Sequence, residues 1–315
     1  MAAKHSRIVE RALTRLKLKQ LRLLVTVGKN GNIQAAAREL NVSQPAATKM
    51  IKDLELDFEV QLFDRTNRGV IPTVYGEALI RHGKLIFAQI SNAAQELDDL
   101  TEGTSGRVVV GTLLAGSSHL LPKAIERVLV QRPNVAIKVI EGTNEVLMPG
   151  LRAGEIDLIV GRLPTHRHRK ELMQIPLFQE KILLMAGKGH PLTSCKDVRF
   201  EDLKGYGWIL PPVETSLRRQ LDQYFIDEQQ YQPPVAIESV SYLTNRALLS
   251  GDGELVCLMP AHIAAQDVSL GLLEALDFEL PFGTGPVGIS FRGNEFLSPA
   301  GLAVLQALSD VAEAM

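Results

Sequence analysis

Ser43, Gln44, Pro45, Thr48, Lys49 and Lys52 follow one another at spacings that would place them along one side of a helix and its entry. Their chemistry suits a nucleic acid. A glutamine can pair with an adenine edge, a threonine can meet a base or a thymine methyl, and lysines suit guanine or phosphate. Downstream, Asp64-Arg65-Thr66-Asn67-Arg68-Gly69-Val70 has the composition of a basic hairpin, whose Arg65 and Arg68 would lie near phosphates or in a minor groove. A solvated helix without function would account for the first set alone, but not for both together.

A second set is, apart from one leucine, polar and small. Leu114, Ser117, Ser118, Thr143, Asn144, Thr215, Ser216 and Ser239 fall where apolar strand patterns give way to helical ones. Hydroxyls, amides and free backbone N–H groups at such junctions can hold a carboxylate or a sugar. Each could also do no more than cap its own helix.

These residues need elements to position them. Leu18, Leu21, Leu24 and Val25 have helical spacing, and the polar stretch 28–31 with its two glycines is expected to end that helix. Asn32 can cap a short helix over 33–40, and its run Ala35-Ala36-Ala37 would let another helix approach closely. Asn41-Val42 makes a tight turn. Ser43 is then an N-cap with Pro45 in the first turn of a helix running to about residue 56. Two short helices across a tight turn form a helix-turn-helix, with the second helix entering the major groove. Met50, Ile51 and Leu54 would face the core, and Leu62-Phe63 would anchor the hairpin that follows.

Over residues 21–76 the chain resembles the LysR-type transcriptional regulators. The matching pieces are Ala36-Ala37, Leu40, Val42-Ser43-Gln44-Pro45-Ala46, Leu54-Glu55, Leu62-Phe63, Arg65, and Thr73 with Gly76. Asn32 and Thr48 stand where the family commonly has serine, and Glu59 where it has glycine. The segment 41–49 and the basic N-terminal extension resemble the subgroup that controls sugar uptake or aromatic catabolism.

Beyond residue 74, Leu79, Ile86, Ile90, Ala93, Leu97 and Leu100 space out as a coiled-coil seam, which resembles the family's dimerising linker helix. Residues 101–106, polar with two glycines, read as the hinge that follows. Strand, helix, strand, helix, strand patterns over 107–161 imply a parallel sheet, and a second set of strands near 181–186, 208–210, 235–237 and 255–259 implies another. A strand over 286–291 and a helix opened by Ser298-Pro299 close the chain. The two lobes resemble the periplasmic-binding-protein-like effector domain of the family, where Ala115 stands close to a ligand-binding hydroxyl of some members.

The expected architecture is α/β overall, with an all-α winged helix-turn-helix and linker helix ahead of the two-lobed α/β effector domain. Its divisions are a DNA-binding domain over 1–73, linker and hinge over 74–106, and an effector domain over 107–315. Lobe I would take 107–162 and 268–315, lobe II 163–267, with crossings near Gly161-Arg162 and residues 268–270.

Charge supports this division of labour. In the first 90 residues lysine and arginine outnumber the acids 15 to 8, whereas in the remainder the acids lead 28 to 19. A basic module joined to an acidic one places the polyanion partner on the first. With 45% hydrophobic and 22% charged residues, the composition is that of a folded protein rather than a disordered or rod-like one. No run nears the roughly 18 apolar residues of a membrane span, so the expected location is the cytoplasm, with no membrane partner.

Cys195 and Cys257 make neither a disulfide framework nor a zinc motif. His166-Arg167-His168 reads as a solvated basic loop, and the G-x-G-x-x-G match at 283–288 precedes a strand and carries a proline where a helix should open. No nucleophile elbow, zinc helix or phosphate loop appears, so no enzyme, metal or cofactor is expected.

The implied function is a DNA-binding regulator that meets double-stranded DNA as a homodimer or homotetramer and answers a small-molecule effector. RNA polymerase is a further partner if it activates. The alternative is an effector-independent architectural DNA-binding protein.

Overall fold

The computed structural model describes residues 2–102, 105–164, 172–227, 233–251, 253–280 and 285–315, which leaves His166-Arg167-His168 and the first two residues of the 283–288 glycine motif outside the described residues. The chain divides into two compact units, one of residues 1–91 with 152–154 and one of the remainder.

In the first unit, α1 (Ala2–Arg15) precedes α2 (Leu18–Asn30), α3 (Ile33–Glu39) and α4 (Gln44–Phe58). The expected caps form. The Asn32 side chain accepts from the backbone N–H groups of Gln34 and Ala35 at 2.8 and 3.1 Å, and Ser43 Oγ accepts from Ala46 N–H at 3.4 Å. Leu21, Leu24, Ala36, Ala37, Ala47, Ile51 and Leu54 form the core between the helices. A hairpin of β1 (Phe63–Thr66) and β2 (Gly69–Pro72) is anchored in that core by Leu62 and Phe63.

Helix α2 ends within the expected stretch 28–31, at Asn30, where Gly31 adopts φ 61°. Gly28 lies inside the helix and leaves room for α5 (Val74–Glu102), because a Cβ there would lie 2.5 Å from Ile80 Cδ1. Glu59, standing in place of the family's glycine, takes the left-handed conformation at φ 56° and ends α4. Its carboxylate accepts from Arg11 of α1 at 2.9 Å, a contact that helps to hold a strained residue.

Along α5 the expected seam separates into two parts. Leu79 packs into the core of the first unit and leaves the seam. Ile86, Ile90 and Leu97 are 38%, 46% and 65% exposed, so they leave a partly exposed apolar stripe along the helix. The Leu100 side chain lies outside the described residues.

The second unit holds two five-stranded sheets. The first contains β3 (Ser105–Thr112), β4 (Asn134–Glu141), β5 (Leu158–Arg162), β6 (Met173–Gln179) and a strand near the end of the chain, Pro286–Phe291. The second contains β7 (Ile182–Gly187), β8 (Gly207–Leu210), β9 (Val235–Glu238), β10 (Leu255–Pro260) and β11 (Leu273–Ala275), which makes Pro286–Phe291 strand β12. Their orders are β4-β3-β5-β12-β6 and β11-β7-β10-β8-β9.

Helices cover both faces of each sheet. In lobe I these are α6 (Leu114–Ser117), α7 (Leu120–Gln131), α8 (Asn144–Ala153) and, last in the chain, Pro299–Glu313. In lobe II they are α9 (Ser216–Asp227), α10 (Tyr242–Leu249) and α11 (Ala261–Ser269), so the terminal helix is α12. Val110, Val160, Ile289 and Val304 fill one face of lobe I, and Trp208, Leu210, Phe225 and Val256 one face of lobe II.

The lobe boundaries differ from the expected ones. Strand β6 pairs antiparallel with β12 and belongs to lobe I, while β11 pairs with β7 and belongs to lobe II. The chain therefore crosses after Gln179 and again between β11 and β12, not near Gly161-Arg162 and residues 268–270. The sequence hides β6 because it alternates poorly, holds Pro176 and pairs through a register shift opposite Val287 and Gly288.

Candidate functional site

Two surfaces gather the residues singled out by type. On the first unit, Ser43, Gln44, Pro45, Lys49 and Lys52 are exposed at the start and along one side of α4, and Thr48 is half-buried. Arg65 and Arg68 are exposed on the hairpin. Thr48, Lys52 and Arg65 line one groove of about 660 Å³ between α4 and the hairpin, which Ser43, Gln44, Lys49 and Arg68 do not line. Lys49, Lys52, Arg65 and Arg68 have no acidic partner among the described residues, so their charge is available to an outside anion.

In the second unit, all eight positions of the second set meet. Leu114, Ser117 and Ser118 from the β3–α6 side, Thr143 and Asn144 at the start of α8, Thr215 and Ser216 at the start of α9, and Ser239 before α10 line one cavity of about 690 Å³ between the lobes. A cavity of that size suits a small-molecule ligand.

The hydroxyls divide by what they already bond. Ser117 Oγ donates to the Leu114 carbonyl at 2.9 Å, Thr215 Oγ1 to the Pro212 carbonyl at 2.8 Å, and Ser239 Oγ accepts from Ser241 N–H at 3.1 Å. Those three serve local turns. Ser118, Thr143 and Ser216 have no side-chain hydrogen bond among the described residues and are available to a ligand.

Tertiary packing adds lining groups that type and local pattern did not reveal. Arg162 at the end of β5 and Glu180 at the lobe crossing form an ion pair, with side chains 11% and 0% exposed. Asn144 Nδ2 donates to the Arg162 carbonyl at 3.2 Å. Burial, followed by a hydrogen bond to Asp267, pushes the Tyr242 phenol up to about 12, and Asp267 also takes Arg246 Nε at 3.1 Å. These contacts fasten α10 to α11. Across the lobes, His262 Nε2 lies 3.0 Å from the Ala115 carbonyl.

Burial also pushes the Cys257 thiol up to about 12, which leaves it an unreactive wall of the cavity. Among the described residues no group of three or more His, Cys, Asp or Glu could hold a metal, and no helix is long and apolar enough to cross a membrane. The only sequence signal for the added polar groups was the presence of isolated charges in apolar surroundings, as at Arg162.

Comparison with known proteins shows the family of both parts of the chain. Residues 18–77 match a family model described as a bacterial regulatory helix-turn-helix protein of the lysR family, and residues 101–313 match the LysR substrate binding domain. The HTH-type transcriptional regulator GbpR of Azospirillum brasilense is 33% identical over 300 residues, covering 94% of this chain and 87% of that protein. PcaQ of Agrobacterium fabrum, also named an HTH-type transcriptional regulator, is 30% identical over 298 residues, covering 95% and 96%. A crystal structure of full-length CbnR complexed with its target DNA shares the fold, with a TM-score of 0.64 and 21% identity over 94% of this chain and 100% of that one.

Proposed function

This chain belongs to the LysR family of bacterial transcriptional regulators, and we propose that it reads an operator through α4 and the hairpin and takes its effector in the cavity between the lobes. The DNA residues of this reading are Ser43, Gln44, Pro45, Thr48, Lys49, Lys52, Arg65 and Arg68. The effector residues are Leu114, Ser117, Ser118, Thr143, Asn144, Thr215, Ser216 and Ser239. Of these, Ser118, Thr143 and Ser216 are the primary hydroxyl contacts, because the other hydroxyls already bond their own turns.

One observation carries the reading above the others. Residues drawn from both lobes, chosen by type and junction alone, line a single cavity in a chain whose other unit displays a basic helix face with unpaired cations. A regulator that acts on DNA would work in the cytoplasm as a homodimer or homotetramer, with RNA polymerase as a partner if it activates. In this reading the cavity binds and does not catalyse.

Operator binding supplies the first test. Gln44→Ala should cost about 1–3 kcal/mol on the cognate site and relax sequence preference, as a base-edge contact does. Equal weakening on cognate and random duplexes, measured by fluorescence anisotropy at one salt concentration, would remove Gln44 from the groove. For the effector half, Thr143→Val should lower effector affinity about tenfold, since one hydrogen bond is worth about 1 kcal/mol or more. Calorimetry showing equal affinity would exclude Thr143 from the site.

A further inference from the structure

Helix α1 precedes the helix-turn-helix, yet it is built into the first unit rather than appended to it. Leu16 and Lys17 alone separate it from α2, and both are held. Leu16 N–H donates to the Ala12 carbonyl at 3.1 Å while its side chain packs on the helix core, and Lys17 N–H donates to Oε1 of buried Gln20 at 2.9 Å. Ile8, Arg11 and Ala12, spaced three and four apart, share the half-buried face of α1, whereas Val9 and Leu13 are exposed. The helix packs against α4.

Its polar contact falls at one place on α4. Arg11 Nη1 donates to Glu59 Oε1 at 2.9 Å, with the two side chains 30% and 26% exposed. Glu59 is the left-handed residue that ends α4, in a conformation that glycine takes without strain and glutamate does not. The residues just after it join α4 to the hairpin and to α5. Val60 N–H returns to the Glu55 carbonyl at 3.1 Å, and Leu62 N–H donates to Glu55 Oε1 at 2.9 Å. Thr73, just ahead of α5, donates its hydroxyl to the Gln61 carbonyl at 2.7 Å. How the hairpin stands beside α4 therefore depends on Glu59 keeping its turn. A non-glycine residue stays in that turn only where surrounding contacts hold it there.

This joint is remote from the bases that α4 would read. Helix α4 has 15 residues, and at about 1.5 Å each they put Glu59 roughly 22 Å from the entry of the helix at Gln44. We propose that α1 is a brace for the operator-reading surface, in which Arg11, acting through Glu59, is a positioning residue that fixes the joint between α4 and the hairpin without touching DNA. The proposal rests on the reading of α4 and the hairpin as the operator surface. When the joint is held for only part of the time, apparent affinity falls in proportion to the competent fraction.

The test is fluorescence anisotropy on the full chain over a salt series, with a duplex enriched from a randomised library by the wild-type protein, together with thermal melting. Arg11→Ala should weaken binding about three- to fivefold, the most that a partly exposed ion pair contributes. The slope of log affinity against log salt should stay unchanged, since no phosphate contact is lost. Arg11→Glu should weaken binding further, and Arg11→Glu with Glu59→Arg should recover most of the loss. Beside Glu59→Gly, which takes the left-handed turn unaided, Arg11→Ala should change affinity by about twofold or less. A salt slope lowered by about one in Arg11→Ala would make Arg11 a phosphate contact and overturn the brace. A loss that persists in full beside Glu59→Gly overturns it too, as does a lowered Tm with unchanged affinity, which marks a merely structural pair. Should Arg11→Ala unfold, Arg11→Met keeps the apolar stem and reads the same loss. Gln44→Ala on the same duplex separates the two readings. If it weakens binding and Arg11→Ala does not, the brace falls and the operator surface stands; if neither does, both fall.

Discussion

Ile86→Asp combined with Ile90→Asp should yield a folded monomer whose operator affinity is lower by about a hundredfold or more. The two isoleucines are 38% and 46% exposed on α5, at heptad-like spacing with exposed Leu97. An apolar stripe at heptad-like spacing on a long helix is stabilised by a partner helix, and an aspartate there must be buried unpaired or keep the helices apart. Dimerisation lets two α4 helices engage two half-sites of one duplex, and linking two binding modules raises avidity by roughly 10²–10⁴. Light scattering gives the mass and anisotropy the affinity. An unchanged mass for a variant with wild-type circular dichroism would show that this stripe is not the contact between chains.

Arg162→Leu should destabilise the effector domain by about 3–5 kcal/mol, because it leaves the Glu180 carboxylate buried with its cation removed. For a domain of this size that corresponds to a Tm lower by about 10 °C. The double variant Arg162→Leu with Glu180→Leu should regain most of the loss, since two apolar groups can replace a buried ion pair at little cost. Because both residues line the cavity, the double variant should also bind effector more weakly than wild type. Differential scanning calorimetry of both variants decides the matter: a single variant melting within a degree of wild type would mean that the pair contributes no more than a surface salt bridge.

Much of the reading surface is written locally. Asn32 and Ser43 specify helix starts through bonds that reach only two or three residues along the chain, and Pro45 through its fixed φ in the first turn, so the sequence alone places them. The small polar positions of the cavity were legible for a related reason. Each lies where a strand passes into a helix, and such junctions in α/β sheets collect on one side.

What the sequence by itself determined is therefore the set of elements, their caps, the basic face of α4 and the polar positions at the strand ends. Tertiary structure alone decided which lobe each strand joins. Strand β6 enters lobe I through pairing of Met173 with Phe291 and of Gln179 with Pro286, contacts between segments more than a hundred residues apart that no local period encodes. Likewise, no local pattern shows that Gly28 makes room for Ile80, and Leu79 reads as seam until it is found in the core. The Arg162–Glu180 pair arises in the same way. Whether a buried polar group is satisfied depends on what the rest of the chain brings beside it, and only packing settles that.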